Sequence, residues 1–191
     1  STITGTKASG AEISGYSGAL EVNVVDFGAD KKGKKDSSKA IQKALDYAID
    51  NGSNSVQIKV VVPKGKYRID KLLEIYSNTW LYLEDGATIV RNFDKGCMIK
   101  NAQANGAGGY GSERNIVIEG GCWDGNPSST SRPFSNMRFG HMKNLWIKNV
   151  EIKNNYNGHH VEIGGVKGIT IEDCDFHGYT GTFQKEAIQL D

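Results

Sequence analysis

Arg138, Glu162 and Gln189 hold the same position in three short stretches, Met137-Arg138-Phe139-Gly140, Val161-Glu162-Ile163-Gly164 and Ile188-Gln189-Leu190-Asp191, set 24 and 27 residues apart. In each, apolar residues flank the polar one, which is the alternation of a strand with one buried face. Strands of this kind stacked ~4.8 Å apart would put the three polar side chains in one outward row. Asn136, His160 and Ala187 would occupy the row beside it. Charged and amide groups in such a ladder suit an extended anionic or neutral glycan. The blander alternative is a surface ion pair between Arg138 and Glu162, worth ~0–1 kcal/mol. His160 and Glu162 lie two apart and so share a face, but two ligands are too few for a metal site, and none is expected. Trp146, between Leu145 and Ile147, is expected to face outward, where its ring either stacks on a sugar or packs under a loop.

These residues need a scaffold that repeats. Asn115–Gly125, Asn144–Asn154 and Gly168–Gly178 superimpose without gaps, at offsets of 29 and 24 residues. They match at Ile116/Leu145/Ile169, Ile118/Ile147/Ile171, Gly121/Val150/Cys174 and Trp123/Ile152/Phe176. Each stretch reads as two strands around a bend, and no copy can bury its apolar side alone. The implied architecture is a parallel β-helix whose coils keep their strands and vary their loops. Asparagines in the run Asn154 to His160 are expected to ladder between stacked corners rather than to bind a ligand.

A stack of coils has an open apolar end. Ala40, Ile41, Ala44, Leu45, Ala48 and Ile49 share one face of a helix predicted over residues 36–51, the natural lid. Asp36, Ser37 and Ser38 are its candidate N-caps and Asn51-Gly52 its stop. The segment Val22 to Gly28 reads as a strand ending in a turn, and Val56–Val62 as a further strand. The 24 glycines against 3 prolines fit a chain that turns many tight corners. A net charge of +1, from 23 basic and 22 acidic residues, gives no reason to expect nucleic acid as a partner. No apolar run approaches the ~20 residues needed to span a bilayer, so membrane insertion is not expected. Three cysteines exclude a complete disulfide framework, and Cys174 falls in an inward slot. The Gly106–Gly111 run fits Gly-x-Gly-x-x-Gly but precedes a strand and reads as a loop.

The runs VVDFGADKKGKKDSSKAIQKALDYA, VVVPKGKYRI and SNTWLYLEDGATIV resemble the front of the pectin-lyase-like right-handed β-helix superfamily, which includes polygalacturonases, polysaccharide lyases, uronan epimerases and phage tailspikes. The resemblance covers Val22 to Asp191. It implies an all-β, right-handed parallel β-helix with an N-terminal amphipathic capping helix. It also implies an extracellular protein, secreted or on the cell surface, that binds and in some members cleaves a uronic-acid-containing polysaccharide. A non-catalytic adhesin or tailspike module is the alternative.

Polygalacturonases carry Asn-Thr-Asp-Gly-Ile-Asp where this chain has Gln184-Lys185-Glu186-Ala187-Ile188-Gln189. Glu186 thus matches the first carboxylate, Gln189 replaces the second, and Asp191 is the remaining candidate for the pair. Glycosidic cleavage needs two carboxylates, one to protonate the leaving oxygen and one to activate water. The resemblance therefore implies Glu186 and Asp191 as catalytic, with Arg138, His160, Glu162, Gln189 and Trp146 contacting substrate. Hydrolysis needs no cofactor. A lyase would use a base such as Arg138 with Ca²⁺ on the uronate carboxylate, although no acidic calcium cluster stands out. Residues 1–20 are expected to be a linker or mature N-terminus and 21–191 the β-helix domain. The closing strand, with Ile188 and Leu190 in need of a neighbour, implies further coils or a partner over that end.

Overall fold

The computed structural model describes residues 2–7, 15–106, 108–183 and 185–191. Ser1 and residues 8–14 of the expected linker lie outside the described residues, as do Ala107 of the glycine-rich loop and Gln184. The chain is a right-handed parallel β-helix of three sheets closed at its front by one helix.

The first sheet has seven strands: Thr6–Lys7, Gly18–Asn23, Val56–Val62, Thr79–Leu83, Arg114–Glu119, Lys143–Lys148 and Lys167–Glu172. Thr6–Lys7 pairs antiparallel with the strand beside it, and every other neighbouring pair in this sheet is parallel. The second sheet has six: Lys32–Asp36, Gly65–Ile69, Ala87–Arg91, Cys122–Asp124, Glu151–Tyr156 and Asp175–Thr180. The third has five: Leu73–Ile75, Ile99–Asn101, Met137–Gly140, Val161–Gly164 and Ile188–Leu190. The repeat alignment is the register itself. Ile116 pairs with Leu145 and Leu145 with Ile169, while Trp123 pairs with Ile152 and Ile152 with Phe176. Each of these rows is an inward stack; Ile116, Leu145, Trp123 and Ile152 have no exposed surface.

The corners explain why the coils stay in step. After the first coil, whose passage takes residues 24–31, first-sheet strands pass to second-sheet strands through residues 63–64, 84–86, 120–121, 149–150 and 173–174, never more than three residues. Here Gly86, Gly120, Asn149 and Asp173 all take left-handed backbone (φ 82°, 78°, 54° and 53°). Gly and Asn tolerate that region best, and a short polar side chain can hydrogen-bond locally within it. A second left-handed ladder lies at the entry to the first sheet, on Asn78, Asn115, Asn144 and Gly168. Asn144 donates from Nδ2 to Asn115 Oδ1 at 3.0 Å, and Asn115 donates to Asn78 Oδ1 at 3.3 Å. The two corners flanking the third sheet are different. Residues 92–98, 125–136, 157–160 and 181–187 enter it, and 102–113, 141–142 and 165–166 leave it. On both sides of this sheet the connecting segments range up to the length of 102–113 and 125–136.

The front helix, Ser38–Asn51, starts slightly later than the periodicity suggests because Asp36 serves the cap. Its carboxylate accepts from the Ser38 and Asp70 amides, at 2.9 and 3.0 Å, tying the helix start to the end of a second-sheet strand. Burial pushes the Asp36 carboxyl up, but these hydrogen bonds outweigh it and the group lies below its ordinary value. Ala40, Ile41, Ala44, Leu45 and Ala48 are buried over the sheet ends, with Ile41 and Leu45 fully so, whereas Ile49 is 54% exposed. Burying a side chain such as Ile or Leu contributes roughly 1.5–3 kcal/mol. The strand expected over Val22 to Gly28 ends at Asn23. Its side chain accepts from the Val25 amide and starts a short 3₁₀ turn, Val24–Phe27, closed by left-handed Gly28. No helix among the described residues is long and apolar enough to cross a membrane.

Candidate functional site

The outer face of the third sheet carries Glu74, Lys100, Arg138, Glu162 and Gln189 on successive strands in strict register. Sequence reasoning found the last three and missed the first two. Along the first four rungs two cations lie between two carboxylates, with Lys100 Nζ 3.9 Å from Glu74 and Arg138 Nε 3.8 Å from Glu162. At these distances and exposures each pair is loose, worth ~0–1 kcal/mol.

Three adjoining depressions follow this row. The central one, about 430 Å³, presents Lys100, Arg138 and Lys185 against a single carboxylate, Glu162, with His159 and Ser135 on its wall. Toward the capping helix it shares Lys100 and Leu72 with a hollow of about 1050 Å³, lined by Lys39, Lys43, Lys71, Lys95, Tyr76 and Phe93 together with acidic Asp46, Asp70 and Glu74. Toward the last strand it shares Arg138, Glu162 and Gln189 with a depression of about 290 Å³ that adds His141 and Asp191. Together they form an open channel on a sheet whose bordering loops vary in length.

Packing beneath the channel fixes its wall. Arg91 belongs to the inward phase of strand Ala87–Arg91 and is wholly buried. Its Nε and Nη2 donate to the Gly96 carbonyl at 3.0 and 2.8 Å. Its guanidinium lies 4.2 Å from the Phe93 ring centre and 3.9 Å from that of Phe134. Burial lowers the group to about 10, so it remains a cation at neutral pH. Gly96 and Phe134 both line the central depression. Cys97 does so too, and burial pushes its thiol up to about 11, which keeps it protonated and a poor nucleophile.

Glu162 is held on two sides. Its Oε1 accepts from Ser135 Oγ at 2.7 Å, and Ser135 Oγ accepts from the His159 amide at 3.0 Å. A carboxylate engaged by a hydroxyl and facing Arg138 is not arranged as a calcium ligand. The one group of three His, Cys, Asp or Glu donors found among the described residues lies on the second sheet. The channel residues do not fit a Ca²⁺ ion, and no lyase step through one is derived.

The structure gathers Arg138, Glu162, Gln189 and Asp191 in the channel. Three other sequence candidates lie elsewhere. Glu186 sits before the last strand with its side chain 78% exposed; its carbonyl accepts from His159 Nδ1 at 2.7 Å, and its carboxylate lies 3.8 Å from the same nitrogen. It is not among the residues lining the three depressions. Trp146 does face outward, but on the first sheet, beside Trp80, Val117, Tyr16 and Tyr82. His160, expected on the channel face beside Glu162, is turned inward and buried. It lies ahead of its strand, where the chain rounds the corner and two-residue alternation no longer applies. Its Nε2 donates to the His177 carbonyl at 2.9 Å, and its ring stacks on Phe176. One coil earlier, Asn136 makes the same reach to the Lys153 carbonyl at 3.2 Å, and Lys153 and His177 are register partners. The pair is a stitch between sheets; it is His159, the neighbouring residue, that lines the channel.

Burial lowers the His160 pKa, because a second proton would fall on Nδ1, which is buried without a partner. The unfolded chain, with histidine near ~6.5, takes up that proton first. His160 therefore adds stability that is complete above ~6.5 and is lost as the pH falls through that value toward the lower folded one. A thermal-melt series from pH 8 to pH 5 should show a steeper acid loss for the native chain than for His160→Asn, which copies Asn136. Parallel curves would count against it.

A profile of the family described as rhamnogalacturonase A/epimerase, pectate lyase-like matches residues 21–189. The chain belongs to this family. Within it, this pectate lyase-like chain is 29% identical over 202 residues to the plasmin and fibronectin-binding protein A of Streptococcus pneumoniae, an alignment covering 89% of the chain and 27% of that relative. The solved structure of the pneumococcal surface protein and adhesin PfbA matches with a TM-score of 0.75 at 25% identity, over 88% of this chain and 45% of that one. A family 28 exopolygalacturonase from Yersinia enterocolitica matches with a TM-score of 0.69 at 18% identity, over 83% of this chain and 39% of the enzyme. That last likeness is one of fold. The pectate lyase-like chain thus spans about a quarter of its curated relative and under half of these two structures.

Proposed function

We propose that the outer face of the third sheet binds an extended, acidic polysaccharide, and that the chain serves as a carbohydrate-binding β-helix module at the cell surface. The observation that carries this reading is the central depression, where three cations meet one carboxylate on a sheet walled by loops of varying length. Uronate carboxylates would pair with Lys100, Arg138 and Lys185, and the apolar faces of sugar rings would lie against Tyr76 and Phe93 in the adjoining hollow. Kinship with a pneumococcal protein described as a surface adhesin supports the surface location and the emphasis on binding.

Affinity electrophoresis and calorimetry against polygalacturonate, alginate, hyaluronan and an uncharged polymer test this. We expect retardation by at least one acidic polymer and none by the neutral one, with binding at least ten-fold weaker in the Lys100→Ala/Arg138→Ala double variant. Equal affinity for neutral and acidic polymers, or an unaffected double variant, would sink the proposal.

Cleavage is the second reading, favoured by one observation: Glu162 and Asp191 line the same small depression. Glu186 matches the first carboxylate of the polygalacturonase motif, and Asp191 is the candidate for the second, since Gln189 stands at the motif's own position. Reducing-end release and absorbance of unsaturated products report hydrolysis and elimination separately. Loss of turnover in Glu162→Gln with retention in Glu186→Gln would place the acid/base work in the channel, and the reverse would restore Glu186.

A further inference from the structure

The outer face of the second sheet, away from the channel, carries a mixed set of metal-binding donors. Cys122, Glu151 and Asp175 occupy one position on three consecutive coils, in register. His177, two residues beyond Asp175, returns to the same face. One carboxylate oxygen each from Glu151 and Asp175 and one ring nitrogen of His177 lie within 4.8 Å of one another, and the Glu151 to His177 Nε2 distance is 3.7 Å. Cys122 is the register partner of Glu151 on the preceding coil, which places its thiol on the rung beside the triad.

We propose that Cys122, Glu151, Asp175 and His177 form a site for a divalent transition metal, with Zn²⁺ the ion that the donors suit best. A tetrahedral ion with bonds of about 2.0–2.3 Å holds its ligand atoms roughly 3.3–3.8 Å apart, so the Glu151, Asp175 and His177 donors need only a small contraction, while the Cys122 thiol would turn in from the neighbouring rung. Imidazole and thiolate exclude a calcium-type site, since Ca²⁺ takes oxygen ligands. His177 and Asp175 are exposed and Glu151 is partly so, which leaves the ion an entry path. Lys153, the rung beside His177, offsets part of the negative charge.

Binding removes the thiol proton to solvent while the sulfur lone pair forms the metal bond; no electron is transferred. Because the ligands come from three successive coils, the ion would clamp them together.

Titration of the whole chain with ZnCl₂ alone, followed by calorimetry and by melting temperature, is the first test. We expect one Zn²⁺ per chain, a higher melting temperature, and at least ten-fold weaker binding in His177→Ala and in Glu151→Gln. With CoCl₂, a thiolate-to-metal charge-transfer band should form in the native chain and in Cys174→Ser but not in Cys122→Ser. Zn²⁺ should also slow alkylation of Cys122, a readout that needs no variant. No binding, binding unchanged in His177→Ala, or a cobalt band that persists without Cys122 would each overturn the assignment.

Discussion

Arg91→Ala should lower unfolding stability by about 3–5 kcal/mol and abolish glycan retention at temperatures where the variant is still folded. The Gly96 carbonyl would lose both of its guanidinium donors, and an unsatisfied buried acceptor costs about 1–3 kcal/mol. The two ring faces of Phe93 and Phe134 would lose the cation between them, worth up to about 2 kcal/mol or more when desolvated. A void would remain between the rings. The functional loss follows because Gly96 and Phe134 form the channel wall. Arg91→Lys keeps the charge but not the flat fork that bonds one carbonyl twice and fits between two rings, so it should recover less than half of the stability. Urea denaturation of the three proteins, paired with affinity electrophoresis, decides the matter. A shift below about 1 kcal/mol for Arg91→Ala would mean the loop holds without it.

The second large effect concerns the cap. Leu45→Asp should leave little soluble folded chain, with aggregates in the void volume on size exclusion. Leu45 has no exposed surface and packs within the apolar cluster over the front of the coils. A carboxylate there would be buried without a partner, a cost of several kcal/mol against a typical total of about 5–15. Lifting the helix would also bare sheet ends prone to pairing with other chains. Leu45→Met, which conserves volume, should cost less than about 1.5 kcal/mol, and Leu45→Ala about 2–5. Thermal melts and size exclusion on all three separate the effect of charge from that of volume. A soluble, cooperatively melting Leu45→Asp chain would show that the helix is not needed as a lid.

The inward rows were legible because one rule, a two-residue alternation repeated from coil to coil, produces all of them. Ile116, Leu145 and Ile169 align in the text of the chain as they do in space. The same rule placed Arg138, Glu162 and Gln189 in one outward row. It missed Glu74 and Lys100 because their strands, Leu73–Ile75 and Ile99–Asn101, are three residues long and separated by loops that keep no period. It misplaced His160 because a residue at a corner obeys the turn and not the strand. For Trp146 it told inside from outside but not which of three outer faces. Arg91 left a trace that could have been used: with Ala87 and Ile89 it occupies the buried phase of its strand, where a charged residue demands an explanation.

The contrast between corners has a practical meaning. After the first coil, the passages from first to second sheet, with their stacked left-handed residues, keep to two or three residues and set the pitch of the coil. The segments 92–98, 125–136 and 102–113 keep no such length, and they border the row of side chains proposed to meet a glycan. On that proposal, new sequence grafted into them would change which sugar polymer is preferred, provided Gly96 and Phe134 stay in place to hold Arg91. Recognition could thus be re-engineered at loop positions without touching the corners that set the coil.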